Sequence, residues 1–156
     1  MSNTNQSEII LLIAPFTNQH GQGRVSERVK EIICDNFNAI TFSTHITGSF
    51  YLKSLKSLFL IFRVMFFIHT TSKRYKCIKV YFTPSRNFLG SIKDLIILIN
   101  IYFLKKITKK RFYLFAHIHG SSLNKFLNSN IYGNFCKKLY IKCKTKFIIL
   151  SLIHKN

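Results

Sequence analysis

The stretch LFAHIHGSS, Leu114–Ser122, decides how this chain is read. An apolar run ends in two histidines two residues apart, and a glycine and two serines follow. Serine caps helices because its hydroxyl accepts from a first-turn N–H. The stretch therefore reads as a β-strand running out of a sheet into the start of a helix.

The same transition recurs on both sides. Apolar runs with strand character lie at 9–15 (IILLIAP), 39–44 (AITFST), 77–83 (CIKVYFT), 111–119 (RFYLFAHIH) and 146–151 (KFIILS). Helical patterns fill the gaps. Arg24–Cys34 carries Val25, Val29, Ile32 and Ile33 on one face. Tyr51–Thr70 repeats leucine at 52, 55 and 58 and then turns apolar all round. Leu89–Leu104 opens with Gly90, Ser91 and Asp94, and Ser121–Lys142 is interrupted at NSNIYG. Alternation of this kind predicts an α/β fold: a doubly wound, Rossmann-like parallel sheet of about five strands with helices on both faces. The expected strand order is 3-2-1-4-5, with strands one and four adjacent. Residues 1–7 read as a disordered N-terminus, and residues 8–156 as a single Rossmann-like domain.

Leu55–Ile68 is the strongest candidate for a membrane span, but it has 14 residues and contains Lys56 and Arg63. A spanning helix needs roughly 20 apolar residues. Leu95–Leu104 is shorter and contains Asn100. Both read as helices buried against the sheet, with a monotopic contact left open. Residues 1–8 are polar and lack the basic start of a signal peptide. Cys34, Cys77, Cys136 and Cys143 form no Cys-x-x-Cys pair. Reduced, mostly buried thiols in a cytoplasmic protein are expected.

The chain holds 24 Lys and Arg against five acids, a formal charge of +19. Such a balance suits anionic partners; a compositional bias toward Lys explains it equally well. Lys73, Arg74, Lys76, Lys79, Lys105, Lys106, Lys109, Lys110, Arg111, Lys137, Lys138, Lys142, Lys144 and Lys146 fall at helix C-termini and the turns after them. There they complement the helix dipole, at the edge of the sheet opposite to where ligands bind.

After the first strand, Gly21, Gly23 and Ser26 give G-x-G-x-x-S. Six residues separate Ala14 from Gly21, and the second strand ends in Thr44 and His45 with no acid. Both features argue against a nicotinamide cofactor. The reading that survives is a glycine loop letting N–H groups approach an anion or sugar, beside the plainer one of a flexible turn. His117 and His119 share a strand face and could hold zinc; no Asp, Glu or Cys lies nearby in sequence as a third ligand, only His20 or His45 could approach in space, and no metal is expected. His117 reads as packed or hydrogen-bonded near the strand end. His119 reads as exposed at the cleft, which the expected strand order shares with the Gly21–Gly23 turn. Glu27 and Glu31 read as a solvated helix face, and Asp35 and Asp94 as terminal or surface acids. SKRYKCIKVYF mixes bases and aromatics without the glycine pattern of an RNA-binding sheet, so nucleic acid is the less favoured partner.

VYFTPSRNFLGSIKDLIIL (80–98), HIHGSSLNKFL (117–127) and KFIILS (146–151), with HGQGR (20–24), resemble the N-terminal half of bacterial retaining glycosyltransferases of family 4. The resemblance covers about residues 8–151. It implies the GT-B architecture of two Rossmann-like domains, of which this would be the acceptor-side one. It also implies sugar transfer from a nucleotide-diphosphate sugar to an often lipid-linked acceptor, in surface polysaccharide biosynthesis. No metal or other cofactor is implied. His119 would be the catalytic histidine facing the donor sugar. Gly21, Gln22, Gly23, Arg24, His117, Gly120 and Ser121 would bind substrate. The family's donor domain, with its Glu-x7-Glu pair, has no counterpart in these residues. The resemblance therefore describes a truncated enzyme, inactive alone, or one served by a separate donor-domain chain. It implies a cytoplasmic location, with peripheral contact at the inner face of the plasma membrane. The alternative is a basic binding protein for an anionic membrane surface or nucleic acid, without catalysis.

Overall fold

Ile9 to Ala14 form an unbroken apolar run, and a strand of that kind is stable only where both its faces are covered. The computed structural model, which describes residues 8–85, 88–108, 110–118, 128 and 131–149, places it in the interior of a sheet, with a strand on each side. The strands are β1 (Glu8–Ala14), β2 (Ala39–Ser43), β3 (Cys77–Phe82), β4 (Arg111–Ile118) and β5 (Lys146–Ile149). Between them run α1 (Gly21–Asn36), α2 (Phe50–Arg74), α3 (Phe88–Thr108) and, before β5, α4 (Ile131–Cys143). All strand pairs are parallel. The expected disordered N-terminus, residues 1–7, lies outside the described residues.

The strand order is β2-β1-β3-β4-β5, which corrects the expected 3-2-1-4-5. Strands one and four are not neighbours; β3 lies between them. The physical reason is in the strands themselves. Only Phe42 is buried in β2, whereas five of the six residues of β3 are buried. The more apolar strand takes the interior place beside β1, with Ile9 opposite Ile78 and Ile13 opposite Phe82. The more polar strand takes the edge.

The order also sorts the helices. Leu11, Ile13, Ile78, Val80, Leu114 and Ala116 point to one face, where Leu60, Val64 and Ile68 of α2, Leu98 and Ile101 of α3, and Leu139 and Tyr140 of α4 complete the main core. Burying each large side chain of this set contributes about 1.5–3 kcal/mol. On the other face, Leu12, Ala14 and Tyr81 meet Val29 and Ile33 of α1. Lys73 and Arg74, Lys105 and Lys106, and Lys142 occupy the last turns of α2, α3 and α4, as expected for cations at the negative end of the dipole.

Two local expectations need correction. Asp94 is no surface acid: it is 3% exposed. Nor is α2 buried all round. It buries one stripe, Leu60, Ile61, Val64 and Ile68, and leaves its opposite side in solvent.

Candidate ligand crevice

In an open parallel sheet a crevice forms where consecutive helices leave to opposite faces. Here α1 follows β1 to one face and α3 follows β3 to the other, so the crevice lies between β1 and β3. A cavity of about 400 Å³ occupies that place. Its polar lining comes from three strand ends: His20 and Gln22 after β1, Thr44 and His45 after β2, and Thr83 and Ser85 after β3. The Thr44 N–H donates to the Ala14 carbonyl at 2.9 Å and the Thr83 N–H to the Ile13 carbonyl at 3.0 Å. These bonds extend the sheet's pairing into the loops and fix where the loops depart.

The first turn of α1 faces this crevice. His20 is its N-cap, with Nδ1 accepting from the Gly23 N–H at 3.0 Å. In the neutral ring that role leaves the proton on Nε2, a remaining donor. His45 lies edge-on to it, ring centroids 6.0 Å apart. No acid occupies the first turn, so the helix's positive end has no counter-charge from its own side chains. Gly23 is required by close packing: a Cβ there would lie 2.2 Å from the Thr17 carbonyl oxygen. The Ser26 hydroxyl is buried and donates to the Gln22 carbonyl at 3.0 Å.

The β3–α3 loop is pinned from below. Asp94 Oδ2 accepts from the Ser85 N–H at 2.6 Å, and Lys93 Nζ lies 3.2 Å from Oδ1. Burial raises the Asp94 pKa above the ordinary aspartate range, against the opposing pull of Lys93. A second cavity, of about 340 Å³, adjoins the crevice and shares Thr44, Ile46 and Ser85 with it. It opens between α2 and α3, with Leu58, Ile61 and Ile96 as apolar wall and Lys53 and Lys93 as cations. Among the described residues no group of three or more His, Cys, Asp or Glu is placed to hold a metal ion.

The expected site residues separate. Gln22 lines the crevice. Gly21 and Gly23 belong to the first turn of α1, and Arg24 turns back so that Nε donates to the Asn18 carbonyl at 3.0 Å. His117 is 2% exposed, with Nδ1 hydrogen-bonded to the Tyr81 hydroxyl. It serves packing on the α1 face of the sheet. Burial pushes the Tyr81 pKa up to about 12. His119, Gly120 and Ser121 lie outside the described residues. The expected meeting of the Gly21 turn with the end of strand four, based on adjacent strands, is removed by the intervening β3. Sequence reasoning missed Thr83 and Ser85 as crevice residues, and considered His20 and His45 only as groups that could approach His117 and His119 in space. The common signal of Thr83, Ser85, His20 and His45 is position: each stands just beyond one of the three strands that this order brings together.

Neither a protein-family model, nor a curated protein, nor a solved structure matches this chain. The class defined here is a five-stranded, all-parallel α/β domain with a polar crevice at its topological switch point.

Proposed function

We propose that this chain is the acceptor-side half of a retaining glycosyltransferase of GT-B type. The intact enzyme moves a sugar from a nucleotide-diphosphate sugar to a lipid-linked acceptor in surface polysaccharide biosynthesis, in the cytoplasm. One observation carries the reading: the polar crevice at the end of β1 and β3 adjoins the apolar cavity between α2 and α3, with Thr44, Ile46 and Ser85 lining both. A ligand with a sugar or phosphate head and a hydrocarbon tail suits that pairing. The head meets imidazole, hydroxyl and helix N-terminus; Leu58, Ile61 and Ile96 offer the tail an apolar wall. The resemblance of residues 80–98 and 117–127 to the glycosyltransferase family supplies the reaction, and His119 remains its proposed catalytic histidine.

Stabilising a leaving diphosphate takes cations or donors aimed at it. The described lining of the crevice contains no Lys or Arg. These 156 residues are therefore expected to bind acceptor without turnover, the donor-side half being supplied from outside them.

Calorimetry with a short-chain polyprenyl-phosphate sugar tests the reading. Binding should weaken about tenfold in Ser57→Phe, which fills the apolar cavity. It should also weaken in His20→Asn, which keeps an N-cap but removes the imidazole. No binding by the parent chain, or equal binding by all three proteins, would sink it. Robust sugar transfer by the chain alone would refute the expectation of no turnover.

A further inference from the structure

We propose that the outer surface of the α2–α3–α4 layer docks on an anionic lipid bilayer, with the outward side of α2 as the part that enters it. This inference gives the peripheral membrane contact expected from the sequence a particular surface, and it rests on how apolar and charged side chains are distributed, whatever reaction the crevice serves.

On α2, Leu55, Phe59, Phe62 and Phe66 are 64, 69, 62 and 71% exposed. They are spaced four, three and four residues apart, which sets them in one line along the helix. Leu60, Val64 and Ile68 occupy the opposite side, against the sheet. An isolated exposed phenylalanine needs no explanation, but a contiguous line of them marks an interaction surface. The layer continues the pattern: Phe103 and Ile107 of α3 and Phe135 and Ile141 of α4 are also exposed.

Charge selects the partner. Neither α2 nor α4 contains an acid, and the one acid of α3, Asp94, is buried. Lys56 and Arg63 border the apolar line of α2, and Lys106, Lys137 and Lys138 stand exposed on its neighbours. Three of the chain's five acids, Glu27, Glu31 and Asp35, are on α1, across the sheet. The fourth, Glu8, is paired with Lys79. One side of the molecule is thus apolar and cationic with no exposed acid among its described residues. A second copy applied to the same surface would bring lysine rows together. An aliphatic and aromatic line gives a nucleic acid no phosphate contact. An anionic bilayer satisfies both features at once: hydrocarbon for the phenylalanines, headgroups for the cations. No helix among the described residues is long and apolar enough to cross a membrane, so α2 lies along the surface.

The chain contains no tryptophan, which makes a single introduced one a clean reporter. Phe62→Trp should shift its emission to the blue on adding vesicles of equal phosphatidylcholine and phosphatidylglycerol. Ile32→Trp, exposed on α1, should not. Flotation with the same vesicles should fall about tenfold or more in Phe59→Ser/Phe62→Ser. It should fall for the parent chain at high salt or with phosphatidylcholine alone. Both substitutions are at exposed positions, and circular dichroism checks that the fold persists. The proposal is overturned by a shift at both reporters or at neither, or by undiminished flotation of the double variant. Binding to a DNA oligonucleotide but not to vesicles overturns it too, as does a blue shift that grows with protein concentration in the absence of lipid.

Discussion

Gly21 and Gly23 look equivalent in the sequence, and the structure gives them opposite roles. Open space surrounds the position of a Cβ on Gly21, while a Cβ on Gly23 would strike the backbone of Thr17. Gly23→Ala should cost about 3 kcal/mol, because a backbone obstacle cannot rotate away. Gly21→Ala should be neutral or stabilising by up to about 1 kcal/mol. Urea melts of the two variants measure the contrast. Tyr81 gives a pH test. Its folded pKa is raised to about 12 from 10.0, so its share of stability is complete below pH 10 and is lost as pH rises toward 12. The loss amounts to about 2–3 kcal/mol. Tyr81→Phe should begin about 1 kcal/mol less stable at neutral pH, having lost the bond to His117. It should then fall less steeply in alkaline urea melts. At this scale the sequence was a partial guide. Packing of His117 near the strand end was legible from its place in an apolar run. The burial of Asp94 was not, since nothing in its neighbours announces that its side of α3 turns inward to take the Ser85 N–H.

Elements were the most legible level. The five strands and three of the helices lie within a few residues of where apolar periodicity put them, and α4 matches the second part of the interrupted Ser121–Lys142 segment. Continuous apolar runs leave little choice: each must be covered on both faces. Helix ends were less legible because their chemistry is irregular. At the end of α4, Lys144 takes a left-handed conformation, φ 53°, where glycine is usual. The Lys144 N–H donates to the Ile141 carbonyl at 2.9 Å and the Thr145 N–H to the Tyr140 carbonyl at 3.0 Å. This is the closing pattern of a Schellman turn. Lys144→Gly should therefore stabilise the protein by about 1 kcal/mol, read as a rise in the urea midpoint. The outward side of α2 was misjudged for a different reason. A helix that is apolar all round reads as buried, and only the placement of its neighbours shows which side they leave open.

For the whole molecule, class was legible and order was not. Alternation of strand and helix implies a parallel sheet whichever way the strands are shuffled. The candidate site depends on the order. With β3 inserted beside β1, the crevice is built from His20, His45 and Thr83, with the end of β4 one strand further away. The signal that could have settled this was present in the relative polarity of AITFST and CIKVYF: the strand with fewer polar residues on both faces belongs inside. Among the described residues, the same order separates the two faces into one covered by three helices and one where α1 covers β1 and its neighbours, with Tyr113 and Ile148 exposed further along.

The interior place of β1, paired on both sides, has a consequence for the order in which the chain is made. Translation delivers this strand first, yet its neighbours arrive late: Ile10 waits for Ala39, and Ile9 waits for Ile78. Until then IILLIA is a bare hydrophobic hexamer, the kind of segment that seeds intermolecular stacking. Glu8 before it and Pro15 after it are a charge and an imino acid, both poor recruits to such stacks. Replacing both with valine should leave the refolded protein soluble at high dilution and turn concentrated refolding turbid, visible as light scattering that climbs before native circular dichroism returns.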